Sequence, residues 1–371
     1  MNKAKKFILA LPELIFFFSI FIGSVGLIWT IIEILDRFKV DLTYFESLGK
    51  LSIYLIVIHS VVVALLAIYF KKVFFPTIDS TNPPNPLVEK DTILVQDLTD
   101  SLEQGLKAKN YSEVIRIGTA LSRPFFESGN YKARLQIGLL VEEAAALNEN
   151  KPIQMKELID TIGWSYVELG QLDEGEKHIL HGFDLAKNLQ DNFYISKAQR
   201  HLGAINRRKG QFAVAEKYYK DAILSANKIT EETPKTELLA GINYAQASLY
   251  LHQNNYEPAL THIDNSIEGF TQLGDDYKLT MAQTSKGTIL FLMNRIEEAK
   301  DIFRTAIRSS EQRTERLQMA RCYIGMTKIY LKESNWTKAK EHLEKATQLK
   351  KDIKSASELA EIEQLWTKIP K

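Results

Sequence analysis

Residues 286–307 read KGTILFLMNRIEEAKDIFRTAI. A small residue, Gly287, opens the stretch, and a large apolar one, Leu290, follows three later. A short turn leads to Ile296. Small residues return at Ala299 and Ala306. Four other stretches lie on this one without gaps, starting at Ile162, Leu202, Gln246 and Met326. Their openings are Gly163, Gly203, Ala247 and Thr327. Tyr166, Tyr250 and Tyr330 match Leu290, and Asn206 is the exception. Leu172, Phe212, Tyr256 and Trp336 match Ile296. Gly175, Ala215, Ala259 and Ala339 match Ala299, and Gly182, Ala222, Ser266 and Ala346 match Ala306.

The pattern has a steric meaning. Antiparallel helices approach closely where small side chains face each other, and the large residues then pack on the neighbouring pair. These positions resemble those of the tetratricopeptide repeat over roughly residues 152–350. That repeat is usually about 34 residues long. Here the small residues at 175, 215, 259, 299 and 339 stand 40, 44, 40 and 40 apart, so each pair is longer. The spacing is similar to that of the long-helix members, such as kinesin light chains and bacterial peptide-pheromone receptors. The resemblance implies an α-solenoid whose concave groove takes a protein or peptide partner.

Carrying over the inward positions of the first helix of each pair gives a candidate lining. Trp164 comes from the first stretch, with Asp160 and Glu168 beside it. Lys197, Arg200, Arg207 and Arg208 come from the second. Tyr244, Ser248 and His252 follow from the third, and Thr284, Thr288 and Phe291 from the fourth. Arg321, Lys328 and Lys332 complete it. Arginine forks match carboxylates and phosphates, so the basic cluster points to an acidic partner or a C-terminal carboxylate. The competing reading is a solvated helix face covered by long charged side chains. Ala204 stands at one asparagine position of the clamp of chaperone-binding members, so chaperone binding is not implied.

Flanking segments read differently. Residues 92–151 are helical but fit the repeat poorly, since Val114 stands where a small residue belongs, and an extra helix is expected over about 130–149. Residues 351–371 read as a capping helix, with Leu359, Ile362 and Trp366 covering the last repeat. Residues 76–91 carry Pro76, Pro83, Pro84 and Pro86 and read as an extended linker.

Ahead of them, residues 14–32 and 51–70 are two uncharged apolar runs, each long enough for a hydrocarbon layer of about 30 Å. The expected fold is therefore all-α: a transmembrane helical hairpin within residues 1–75, then a solenoid of tetratricopeptide-like helix pairs. Five lysines outside the runs (Lys3, Lys5, Lys6, Lys71, Lys72) outnumber Arg37, Lys39 and Lys50 between them. This bias places both termini in the cytoplasm, in an integral, two-span membrane protein. Ser19, Gly23, Gly26 and Thr30, facing Ser60, Ala64 and Ala67, suit packing within the hairpin or self-association between chains. His59 reads as a structural histidine within the second run.

Composition excludes more than it assigns. The 371 residues carry a net charge of +1, which argues against nucleic acid, and the single cysteine, Cys322, precludes a disulfide framework. No phosphate loop, nucleophile elbow or zinc-protease signature occurs, so neither an enzyme nor a cofactor is expected. His178 and His181 lack a third ligand and read as exposed polar residues. Cys322 reads as an inert core thiol. The leading expectation is a membrane-anchored adaptor or scaffold. The alternatives are a toxin- or defence-type effector whose hairpin oligomerises, and an accessory subunit of a larger membrane complex.

Overall fold

The computed structural model describes residues 87–370 apart from 352 and 354, with side chains from 95 onward. The described residues are helices and turns, with no strand among them. Helices α1 (Leu87–Lys107), α2 (Tyr111–Glu127) and α3 (Tyr131–Leu147) come first. Then α4 (Lys151–Lys156) continues through a π-helical segment (Glu157–Gly163) into α5 (Trp164–Glu168). Next are α6 (Leu172–Asn188), α7 (Asn192–Arg208), α8 (Phe212–Ala226) and α9 (Glu232–His252). They are followed by α10 (Tyr256–Leu273), α11 (Asp276–Leu292) and α12 (Ile296–Arg313). Last are α13 (Arg316–Lys332), α14 (Trp336–Gln348) and α15 (Ala356–Trp366).

A regular metre spaces these helices. Positive φ occurs at Lys109, Gly129, Glu149, Gly170, Gln190 and Gly210, then at Asn254, Gly274, Asn294, Thr314 and Ser334. Each left-handed residue ends a helix and lets the next amide reach back five residues, as Asn110 N–H does to Gly105 O and Arg295 N–H to Leu290 O, both at 2.9 Å. The following residue starts the next helix. Asn130, Asn150, Asp191, Asp275 and Asn335 accept from the backbone amide three residues on. The metre is broken between Gly210 and Asn254, where a longer turn joins α8 to α9.

Packing follows the small-residue register. The second helix of each pair buries a single stripe: Gly175, Ile179, Gly182 and Ala186 in α6, and Ala299, Phe303, Ala306 and Ser310 in α12. First helices are buried on more sides, because they touch their own partner and the neighbouring pairs. The Phe303 ring lies where a Cβ on Gly287 would come within 2.8 Å and one on Gly325 within 2.4 Å. Burying such a ring contributes about 2–3 kcal/mol, and here only glycines leave room for it.

The superhelix closes on itself. The Tyr277 hydroxyl on α11 donates to the Glu127 carbonyl at the end of α2, at 3.3 Å, and the Phe126 and Tyr277 rings meet edge to face at 5.8 Å. Arg123 reaches Asp275 at 3.4 Å. A Cβ on Gly129 would touch Leu317 on α13 and Ser355 before α15. The turn between α2 and α3 is thus seated against the C-terminal repeats. At the far end α15 buries Ile362 and Leu365 against Leu317 and Leu343. Trp366 packs there too, while Leu359 is only half-buried.

Three expectations change. Helix α1 begins at Leu87, inside the stretch read as extended, because a helix can start directly after a proline such as Pro86. The remainder of the linker lies outside the described residues. Integral membrane localisation is corrected: among the described residues no helix is long and apolar enough to cross a membrane. Their apolar stripes are spent on neighbouring helices. The apolar runs at 14–32 and 51–70, with their orientation, seam and hairpin self-association, lie outside the described residues. The third change concerns the basic cluster, most of which is already paired within the chain, as the channel geometry shows.

Candidate partner-binding channel

Closure of the superhelix encloses a channel of about 980 Å³. Its wall is built mainly from α2, α3, the 151–168 helix, α7, α9, α11, α13 and α15, with Tyr219, Phe270 and Phe303 reaching it from α8, α10 and α12. The first helix of each pair presents successive turns to it, which is why side chains three, four and seven apart recur in the lining. Trp164, Lys197, Arg200, Arg207, Arg208, Tyr244, Phe291, Arg321 and Lys328 all reach the wall. His252 does not line it. Its ring instead lies 3.1 Å from Arg207 and takes up the Ser248 carbonyl.

Most of these cations are already engaged. Lys197 Nζ donates to Asp160 Oδ2 at 2.6 Å. Arg208 bonds Glu168 at 2.5 Å and the Val167 carbonyl at 2.6 Å. Arg321 pairs with Glu358 at 2.6 Å and Lys328 with Glu361 at 2.5 Å, both carboxylates coming from α15. Burial works against the Arg321 charge, and Glu358 more than offsets it, so its pKa lies above the ordinary value. Burial likewise opposes ionised Asp160, but Lys197 and His201 hold it below the usual carboxylate range.

His201 is 4% exposed and stacks on Trp164 with ring centroids 4.5 Å apart. Burial, with Arg200 beside it, pushes its pKa down to about 3, so the ring is neutral at pH 7. Arg134 on α3 is 7% exposed. Its Nε donates to Ser122, and its Nη1 is buried without a partner. Arg200 reaches the His201 ring at 3.3 Å and packs over Gly241 on α9, where a Cβ would lie 3.4 Å from its Nε. Burial lowers the pKa of both guanidines.

Several wall residues escaped the sequence reading. Arg134, Tyr131 and Tyr277 lie in helices whose channel role depends on closure, and Arg134 stands outside the five aligned stretches. Glu358 and Glu361 share one face of α15, three apart, and that spacing was readable. Cys322 is buried beside Thr284 at 3.3 Å, and burial pushes its thiol up to about 12. His178 stacks on Tyr166, centroids 5.3 Å apart.

Comparison with known proteins agrees with this architecture. The family profile of the tetratricopeptide repeat matches residues 282–313. Human protein O-mannosyl-transferase TMTC1 is 29% identical over 163 residues, 44% of this chain and 16% of that protein. The zebrafish (Danio rerio) outer dynein arm-docking complex subunit 4 is 26% identical, over 44% of this chain and 41% of its own length. The chain thus spans well under half of these curated relatives. Among solved structures, a signal transduction ATPase with numerous domains and a tetratricopeptide repeat sensor, from Pyrococcus horikoshii, superposes with a TM-score of 0.52 at 16% identity. That match covers 77% of this chain and 42% of the other. A Rap protein complexed with competence and sporulation factor gives 0.50 at 15% identity, covering 72% and 80%. The described region is a tetratricopeptide-type α-solenoid.

Proposed function

We propose that this chain is a binding scaffold that takes a peptide, or an extended segment of a partner protein, into its concave channel. The observation that carries the reading is the channel itself: about 980 Å³, walled by aromatic and polar side chains from successive first helices. Solenoids stack such helices into continuous binding surfaces. The volume is that of a pocket which surrounds a small ligand or short peptide. The Rap structure, which shares the fold, is itself a complex with a bound factor. The channel is read as a site for binding, because each of its six carboxylates is already held by a cation of the chain.

A plug tests this reading. Gly241 lines the channel, and a Cβ there would first meet Arg200, at 3.4 Å. Peptides selected by the full chain from a random octapeptide library are expected to bind Gly241→Trp at least tenfold more weakly, measured by calorimetry. The unfolding midpoint of the variant should match that of the parent. Undiminished binding by a folded Gly241→Trp protein would place the site elsewhere.

A further inference from the structure

Charge bookkeeping in the channel does not close. Among the described residues, ten lysines and arginines and six carboxylates line it, although the chain as a whole is nearly neutral at +1. Each carboxylate has a cation of its own. Glu127 is held by Arg123 and Glu237 by Lys278. Asp160, Glu168, Glu358 and Glu361 pair as described above. Four cations are left: Arg134, Lys156, Arg200 and Arg207. None forms an ion pair within 4.0 Å among the described residues. Part of the excess is also held away from water: Arg134 is buried, and Lys156, Arg200 and Arg207 are partly so. Arg134 Nη1 and Arg207 Nε are buried without hydrogen-bond partners. Unpaired buried charge is costly, and the cost falls when an anion enters.

The spacing of the surplus limits the anion. Arg200 and Arg207 are seven residues apart on α7, hence on one face and about 10 Å apart along the axis. Between them stands Ala204, whose methyl leaves the wall open. One small anion does not reach both. A peptide in the polyproline II form repeats its side-chain direction every three residues, with a rise of about 9 Å.

We infer that the channel ligand is an extended acidic peptide with two carboxylate side chains three residues apart, one held by Arg200 and the other by Arg207. Arg134 and Lys156 supply the remaining positive field. The inference rests on the channel reading above and adds the ligand's charge and spacing to it.

The test uses the full chain and acetyl-Pro-Glu-Pro-Pro-Glu-Pro-amide, followed by calorimetry at low salt. Binding is expected and should weaken steeply as salt rises. Glu-to-Gln replacement in the peptide should cost at least tenfold per position, and so should Arg200→Gln or Arg207→Gln in the protein. Arg200→Lys, which keeps the charge but not the fork, should fall between. A peptide with adjacent glutamates should bind more weakly, and inorganic pyrophosphate, whose charges lie too close together, should not compete. Equal binding of the Glu and Gln peptides overturns the inference, and needs no protein variant to show it. Such a result leaves the channel reading intact, whereas failure of the Gly241→Trp plug removes both. Equal competition by pyrophosphate, tighter binding of adjacent glutamates, or no binding of the peptide also overturns it.

Discussion

His201 shows how one position can be read two ways. In the sequence it is a polar residue beside Arg200. In the fold it is sealed between Trp164, Asp160, Lys197 and Arg200. Its folded pKa, about 3, lies below the unfolded value of about 6.5. The unfolded chain therefore takes up a proton first as pH falls. The stability that neutral His201 contributes is complete above about pH 6.5 and is lost progressively toward pH 3. Thermal unfolding followed by circular dichroism should show the midpoint dropping between pH 7 and pH 4. The drop should be smaller in His201→Asn, though not absent, because burial also lowers the pKa of His178, His262 and His342. Equal drops in parent and variant would count against this account. The neighbouring cations carry a related lesson. Lys197, Arg208, Arg321 and Lys328 were readable as channel-facing, but their carboxylate partners come from other helices, so nothing in the local sequence shows that they are neutralised.

At the scale of the element, the turns decide more than the helices. The left-handed position before each helix start is filled by glycine at 129, 170, 210 and 274, and by other residues elsewhere. Thr314 is the least suited of these, with φ 57° on a β-branched side chain. Thr314→Gly should stabilise the protein by about 1 kcal/mol, read as a higher urea midpoint with an unchanged slope. A lower midpoint would mean that the Thr314 hydroxyl contributes more than the strain costs. The 20-residue metre of these turns also explains residues 92–151. Their small-residue pattern is poor, yet the turns at Lys109, Gly129 and Glu149 keep the same interval as the repeats behind them. That regularity was present in the sequence but hidden, because only some of its left-handed positions are glycine. The π-helical segment at Glu157–Gly163 has no such signal. It carries Asp160 into the channel, and its buried Glu157 is held above the usual carboxylate range by desolvation.

For the whole molecule, closure is the main finding. The contacts between residues 123–131 and the α11–α13 region join parts of the chain about 150 residues apart. Tyr277 is central to them: its hydroxyl donates to Glu127 and accepts from Gln318, and its ring packs on Phe126. Tyr277→Ala should loosen the seam without unfolding the repeats. Hydrogen exchange should then speed up at residues 123–133 while α9 is unchanged. Uniform acceleration everywhere would instead mean that Tyr277 supports the solenoid as a whole.

The sequence alone determined the helix pairs, their 40-residue period and the faces that pack. Those properties depend on side-chain size and periodicity within some twenty residues, and the five aligned stretches state them directly. It also brought about a third of the channel-lining residues into view, through the inward positions of the first helices. Only the tertiary structure decided which charges remain unpaired and that the solenoid closes. Small rotations between successive helix pairs accumulate along a superhelix, and no local pattern records their sum. Where that sum brings α2 against α11 and α15 against α13, an open groove becomes a walled channel, and ten cations meet six carboxylates.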